Sequence, residues 1–429
     1  MSAADGGEGG ALSVARSWGE RPPVAWVLPP GATADAGILL MARGIRAFGD
    51  GFVSVLLPLY LTTLGFGSVR IGAVATATLV GSAMLTLAVG LLAYRLRRRT
   101  LLLRAAALMV VTGIGFATVR SFWPMLIVAF VGTLNPSSGD VSVFLPTEQA
   151  LLAQTVPGGR RTALFARYGL VGSLVAALGS LCAGLPELVA RHTSLGLDDA
   201  LGGMFVVYAL LGLAAAWLYR DLSPAIEPAV QTASRPLDRS RRVVYQLAAL
   251  FSLDSFAGGF VVQSLLALWL FQRFDLSVVT TGTIFFWTNL LSAGSQLVAV
   301  RLADRIGLIN TMVFTHLPAN LFLAVAALMP NLPLAIACLL IRSALSQMDV
   351  PARQSYVMAV VDPAERPAAA SVTNVPRSLA AAGSPLLSGW LLSLSTFGWP
   401  LIIGGTLKAT YDLLLLAMFR RVRPEDEDA

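Results

Sequence analysis

The sequence predicts an all-α membrane protein: twelve transmembrane helices arranged as two pseudo-symmetric six-helix bundles, with both termini cytoplasmic. Three observations carry this. Apolar residues fill 56% of the 429 positions and charged residues 13%, where an ordinary soluble domain carries about 25% charged residues. Mean hydropathy is +0.72. Apolar stretches of membrane-spanning length recur from end to end, and the second set repeats the first.

A helix needs about 20 mostly apolar residues to cross a bilayer. Spans 1 to 6 are read at 38–64, 70–94, 100–119, 122–145, 161–190 and 202–219. Spans 7 to 12 follow at 243–271, 277–302, 308–330, 332–352, 366–394 and 398–420. Turn signals separate them, among them "GFGS" from 65, "PGG" from 157, "MPNLP" from 329 and "DPAERP" from 362.

Loop arginines set the orientation. Arg95, Arg97, Arg98, Arg99, Arg104, Arg160, Arg161, Arg220, Arg235, Arg239, Arg241, Arg242, Arg301, Arg305, Arg353, Arg366, Arg420, Arg421 and Arg423 lie at the connections after even-numbered spans and at the C-terminus. The opposite loops offer Arg70, Arg120, Arg191 and Arg273. Basic residues stay on the cytoplasmic side, so the even loops and both termini are cytoplasmic. The organisation read from this is a disordered tail over 1–36 and a first bundle over 37–219. A central cytoplasmic loop over 220–242 ("RDLSPAIEPAVQTASRPLDRSRR"), a second bundle over 243–420 and a short tail over 421–429 complete it. The sequence pI near 9.9 then reads as topology, and nucleic acid is excluded as a partner.

The halves repeat. "PTEQALLAQTVPGGRRTA" (146–163) aligns with "PARQSYVMAVVDPAERPAA" (351–369) at an offset of 205, matching Pro146 with Pro351 and Gln149 with Gln354. "FGDGFV" and "FAGGFV" align at 208, pairing Phe48 with Phe256, Gly51 with Gly259 and Arg46 with Asp254. "LAYRLRRRTLL" (92–102) and "LADRIGLINTM" (302–312) align at 210.

Six plus six spans, a basic central loop and the loops after spans 2 and 8 resemble the major facilitator superfamily of secondary transporters, in the manner of bacterial drug/proton antiporters. The family signature runs Gly-x-x-x-Asp-Arg-x-Gly-Arg-Arg. The first copy keeps Gly90, Arg95, Arg98 and Arg99, with Tyr94 in place of the Asp and Arg97 in place of the second Gly. The second copy keeps Asp304, Arg305 and Gly307, with Val300, Leu308 and Ile309 departing from the pattern. The resemblance implies a central cavity lined by spans 1, 4, 7 and 10 with parts of 2, 5, 8 and 11. It also implies that Asp304 docks on a helix start in the other half, where the dipole contributes about 0.3–1 kcal/mol.

Intramembrane charges locate the candidate site. Arg43, Arg46, Asp50 and Ser54 form one stripe on span 1 at spacings of three and four. A charge at mid-bilayer costs at least about 2.5–3.5 kcal/mol, so the stripe is expected to face the cavity. Two readings stay open: an intrahelical Arg46–Asp50 pair, or a role in binding and coupling in which Arg46 meets Asp254 across the cavity. Substrate or proton-coupling candidates are Arg46, Asp50, Asp254, Arg342, Arg377, Asn135 and Asn289. Gate candidates are Arg95, Asp140, Glu148, Arg167, Asp304, Arg305, Asp349 and Arg353. In span 4, "GTLNPSSGD" (132–140) is expected to break the helix at Pro136. Gln263 is a further candidate polar contact, and Trp269, Trp287, Phe48, Phe52 and Phe256 are candidate apolar walls.

Other features read as structural. Lys408, the sole lysine, and Asp412 are expected to form an i, i+4 pair on span 12. His192 and His316 stand apart without metal-ligand spacing, and Cys182 and Cys338 read as small buried hydrophobes. A membrane enzyme is excluded, since no paired His, no HxxxD and no large extramembrane loop is present. A non-transporting sensor or scaffold on the same fold stays open. The expectation is a monomeric, multi-pass transporter of the cell inner membrane, with lipid, a small solute and the proton as partners. It needs no cofactor beyond a proton gradient. "GSPLLSG" (383–389) resembles the glycine-proline pattern of exporters, so efflux is expected first and uptake of an organic anion or nutrient second.

Overall fold

A computed structural model describes residues 28–92, 97–137, 142–156, 161–224, 237–238, 240–361 and 365–420. The first half contains α1 (Ala34–Thr63), α2 (Ser68–Leu92), α3 (Arg98–Thr118) and α4 (Phe122–Val131). It continues through α5 (Phe144–Leu152), α6 (Arg161–Cys182), α7 (Leu185–His192) and α8 (Leu197–Arg220). The second half contains α9 (Arg241–Gly259), α10 (Gln263–Phe274), α11 (Val278–Ile306) and α12 (Leu308–Leu328). It ends with α13 (Leu332–Leu345), α14 (Asp349–Ala359), α15 (Arg366–Leu394) and α16 (Trp399–Phe419).

All described elements are helical. Nine described segments are long and apolar enough to cross a membrane. Large apolar side chains stand exposed around the outside, including Trp123, Ile127, Val111, Leu213 and Leu394. Such a surface suits lipid and not water.

The breaks are informative. Span 4 divides into α4 and α5, as Pro136 led us to expect. Spans 7 and 10 are also divided, which the sequence reading did not foresee. Both α5 and α14 begin two residues before a repeated proline, Pro146 or Pro351. Proline is tolerated in a first helical turn, where its missing N–H has no partner to lose, and it disfavours helix in the residue before it. The Ser264 amide donates to the Pro136 carbonyl at 3.1 Å, joining the break of span 7 to that of span 4. The helix α1 starts at Ala34, inside the stretch read as a tail; residues 1–27 and 421–429 lie outside the described ones.

Each half packs as a bundle, with α1 against α6 and α8 in the first and α9 against α15 and α16 in the second. Gly51 and Gly259, matched by the repeat, perform the same task. A methyl group on Gly51 would collide with the Ala176 carbonyl, and one on Gly259 with the Ala381 carbonyl. Ala176 and Ala381 are themselves 205 apart. The halves meet where α2 crosses α15 and α6 crosses α11. A Cβ on Gly72 would sit 2.6 Å from the Pro385 carbonyl oxygen, and one on Gly282 2.5 Å from that of Ser180. The two crossings are thus pseudo-twofold copies of one backbone-to-backbone contact.

Candidate functional site

Polar bonds reinforce this junction at the end away from the termini. The Gln272 amide donates to Ser68 Oγ at 2.8 Å, and the Leu386 N–H donates to Thr76 Oγ1 at 3.0 Å. Ser180 Oγ accepts from Asn289 Nδ2 at 3.1 Å and from Gln263 Nε2 at 3.5 Å. The Val278 N–H donates to Glu187 at 3.1 Å. Asn289 therefore sits at the floor of the junction between bundles. Arg377 donates from Nε to Ser255 Oγ at 2.9 Å, and the Nε of Arg342 is buried without a hydrogen-bond partner.

The charged stripe of α1 has a different place from the one expected. Arg46, Asp50 and Arg43 are 2%, 7% and 8% exposed, packed inside the first bundle and not open to a cavity. Arg46 does not take Asp50 as its partner. Its guanidinium pairs with Glu148 of α5, receives the Phe144 ring at 4.1 Å, and donates from Nε to the Tyr219 hydroxyl at 3.1 Å. Tyr168 and Tyr219 both donate to the Glu148 carboxylate, the latter at 2.5 Å. Glu148 is thereby saturated by charge-assisted donors. Asp50 makes no ion pair with a described residue; the Asn135 side chain lies beside its carboxylate. Arg43 stacks over Tyr168 at 5.4 Å, against Gly172.

The second bundle holds the counterpart. Asp254 accepts from Lys408 Nζ at 2.6 Å and from Arg353 Nη1 at 3.5 Å. Arg353 also pairs with Asp349 at 3.4 Å. Arg46 aligns with Asp254, and Glu148 with Arg353. The same two positions thus pair in each bundle with the charges exchanged. The expected approach of Arg46 to Asp254 between bundles is replaced by these two pairs, each within its own bundle.

Two structural expectations are corrected. Lys408 and Asp412 do not form their own pair: Lys408 reaches Asp254, and Asp412 meets His316 Nδ1 at 2.9 Å. His316 is not isolated; its other nitrogen, Nε2, stands 3.9 Å from Asp254. The Asn320 amide donates to Asp412 at 2.9 Å. Tyr168, Tyr219, His316, Asn320, Lys408 and Asp412 are the members that sequence reasoning left out of the site. A signal existed in His316–Asn320 and Lys408–Asp412, two polar i, i+4 faces on neighbouring apolar helices.

Of the remaining candidates, Arg167 has a buried Nη1 without a partner, while Asp304 and Arg305 are exposed. Arg95 and Asp140 lie outside the described residues. Trp269 is fully buried and donates to the Thr396 carbonyl at 3.2 Å; Trp287 is half exposed on the outer surface. Among the described residues, no group of His, Cys, Asp and Glu could hold a metal ion.

The repeated bundles with broken spans lead to the family. The model of the Major Facilitator Superfamily matches residues 39–346 and 248–429. The chain belongs to the major facilitator superfamily. An uncharacterized membrane protein of Saccharomyces cerevisiae is 25% identical over 423 residues, covering 90% of this chain and 94% of the yeast protein. Solved members of the superfamily share the fold. A bacterial homolog of the human lysosomal transporter Spinster, inward-facing and occupied, gives a TM-score of 0.69 at 15% identity, covering 94% of this chain and 97% of that one. The nucleoside transporter NupG gives 0.67 at 14% identity, with 90% and 100% covered. The human organic anion transporter TETRAN gives 0.62 at 19%, also with 90% and 100% covered. The chain is thus a multi-pass membrane protein with the major facilitator transporter fold.

Proposed function

We propose that this chain is a secondary active transporter moving a small organic solute by alternating access, coupled to the proton gradient, with net efflux. The observation that carries this reading is the pair of symmetry-related closures, Gly72 on Pro385 and Gly282 on Ser180. They draw two rigid bundles together at one end of the molecule, leaving the bundles free to rock about the junction. In this reading α4 with α5, α11 and α15 also cross the bilayer, giving twelve spans with both termini cytoplasmic in the inner membrane. The junction seen here is then the periplasmic closure of an inward-facing state.

The solute site of this proposal lies beneath that closure. Ser180, Asn289 and Gln263 form its floor, and Arg342 and Arg377 supply cationic donors. The unpartnered Nε of Arg342 suits a carboxylate or phosphate on the solute. Asp50 is the proposed coupling carboxylate. It is buried without a cationic partner within ion-pair distance among the described residues, whereas Asp254 is held by Lys408 and Arg353. Export as the direction rests on "GSPLLSG", whose Pro385 is part of the closure.

The test is a thermal-shift screen of anionic, cationic and neutral solutes, followed by counterflow in liposomes. Ligand binding raises the melting point by mass action. Anionic hits that exchange across the membrane and vanish in Arg342→Gln support the reading. Hits confined to cations, unaffected by Arg342→Gln, would replace the arginine site with another.

A further inference from the structure

Among the described residues, the buried charge cluster of the second bundle is unbalanced. Asp254, Asp349 and Asp412 are buried carboxylates, and the fixed cations paired with them are Lys408 and Arg353. Three negative groups therefore face two positive ones. The first bundle differs, since Arg43 and Arg46 stand with Asp50 and Glu148 around one buried cluster. A surplus buried charge is costly unless it is paired or neutralised, and the group placed to neutralise it is His316.

The imidazole lies between two of the carboxylates. Nδ1 is 2.9 Å from Asp412 Oδ1, and Nε2 is 3.9 Å from Asp254 Oδ1. With Asp412 ionised, the short contact places a proton on Nδ1, because two bare lone pairs would otherwise oppose each other. Asn320 Nδ2 donates to the second Asp412 oxygen at 2.9 Å and stands 3.1 Å from Nδ1 itself, so it holds the carboxylate and the ring together. The neutral imidazole then has a bare Nε2 directed at a carboxylate. The imidazolium has an N–H there, and the network reaches charge balance.

Among the described residues, no titratable group beyond His316, Lys408 and Arg353 that faces the three carboxylates offers a cation. From α9 the facing group is Asp254; from α14, Asp349 and Arg353; from α16, Lys408, Asp412 and the Tyr411 ring at 6.0 Å. Of the other charged groups, Arg377 of α15 turns to Ser255, and Asp304 and Arg305 of α11 are exposed. On α13, which also packs on α12, Arg342 is the ionic residue, and it makes no ion pair with a described residue.

We propose that the His316–Asp412 pair is a proton-binding site inside the second bundle, away from the junction, whose loading weakens the hold of Asp254 on Lys408. One proton from water binds Nε2; the N–H formed there competes with Lys408 for Asp254 Oδ1, while Arg353 keeps Oδ2. Lys408 belongs to α16 and Asp254 to α9, so the load on His316 is felt where these two helices pack. The coupling role rests on the proton-linked reading above, but the site itself does not.

The experiment uses the full chain in nanodiscs with isotopically labelled histidine. The chain has two histidines, and His192 is exposed, so His192→Asn assigns both signals. Across pH 5 to 9, the His316 ring should pass through a one-proton transition with Nδ1 protonated on both sides of it. A spectrum unchanged over that range, whether of the neutral ring or of the imidazolium, overturns the proposal. In Asp412→Asn the midpoint should move by at least tenfold in proton affinity; an unmoved midpoint in the folded variant also overturns it. If that variant fails to fold, the unaltered chain still decides. The measurement needs no transported solute, so failure of the transport reading and failure of this site are separate results.

Discussion

Arg353 lies 3.5 Å from Asp254, the arrangement by which Glu148 meets Arg46 in the other bundle with acid and base exchanged. In both cases a residue of the first span of a bundle holds the short helix whose first turn carries the repeated proline, Pro146 or Pro351. The pair fixes α5 or α14 against α1 or α9 in the part of each span nearer the termini. Duplication preserved the contact while the charges were free to swap, because an ion pair reads the same from either side.

The first prediction concerns that exchange. Arg46→Gln leaves Glu148 buried without its cation and should cost about 3–5 kcal/mol, seen as a large fall in melting temperature in detergent. Arg46→Asp combined with Glu148→Arg copies the second bundle into the first and should recover much of the loss. Equal instability of the single and double variants would show that the pairs are not equivalent.

Lys408 offers a discriminating cycle. Lys408→Met should be strongly destabilising alone and partly rescued by Asp254→Asn, since the two groups touch at 2.6 Å. The coupling free energy should exceed that between Lys408→Met and Asp412→Asn, measured by thermal or denaturant unfolding of all the variants. A larger coupling to Asp412 would restore the i, i+4 pair expected from sequence.

Asp50 tests the energetics of transport. Asp50→Asn should abolish solute movement driven by a pH gradient while leaving solute exchange without a gradient, because exchange needs no net proton transfer. The readout is the ratio of driven transport to counterflow in the same liposomes. Driven transport at the wild-type rate would remove Asp50 from the coupling role.

The junction makes a structural prediction. Ser68 and Gln272 hydrogen-bond at 2.8 Å, so cysteines placed there in a chain lacking Cys182 and Cys338 should cross-link readily. The cross-link should stop transport, and reduction should restore it. Transport at full rate with the link intact would mean that this end does not open.

The sequence made much of the fold legible and less of the site. Span positions followed from hydropathy, since lipid leaves each helix to satisfy its own backbone. The repeat was readable because Gly51 and Gly259 each permit a contact that a methyl group would block. The break after Pro136 was readable, whereas the division before Pro351 was not, although Pro146 and Pro351 occupy matching places. Charge partners were the harder part. Helical spacing names which residues share a face, so it offered Arg46 with Asp50 and Lys408 with Asp412. The structure gives Arg46, Lys408 and Asp412 other partners on other helices, and leaves Asp50 without an ion pair among the described residues. Glu148 and Arg353 were singled out, but Arg46 and Asp254, the partners that tie them to the first span of each bundle, lie 102 and 99 residues away, and local spacing offers Arg353 only Asp349. His316 was dismissed as solitary because Asp412 and Asp254 reach it from different helices.

Alternating access about the Gly72 and Gly282 crossings is the central claim, and paired spin labels test it most directly. One pair, at Val69 and Leu387, spans the closed end; the other, at Arg104 and Arg301, spans the end nearer the termini. All four side chains are exposed. On adding a transported solute or changing pH, the account predicts that the first distance lengthens as the second shortens, with two populations trading places. Distances that stay fixed at both ends under every condition would contradict it.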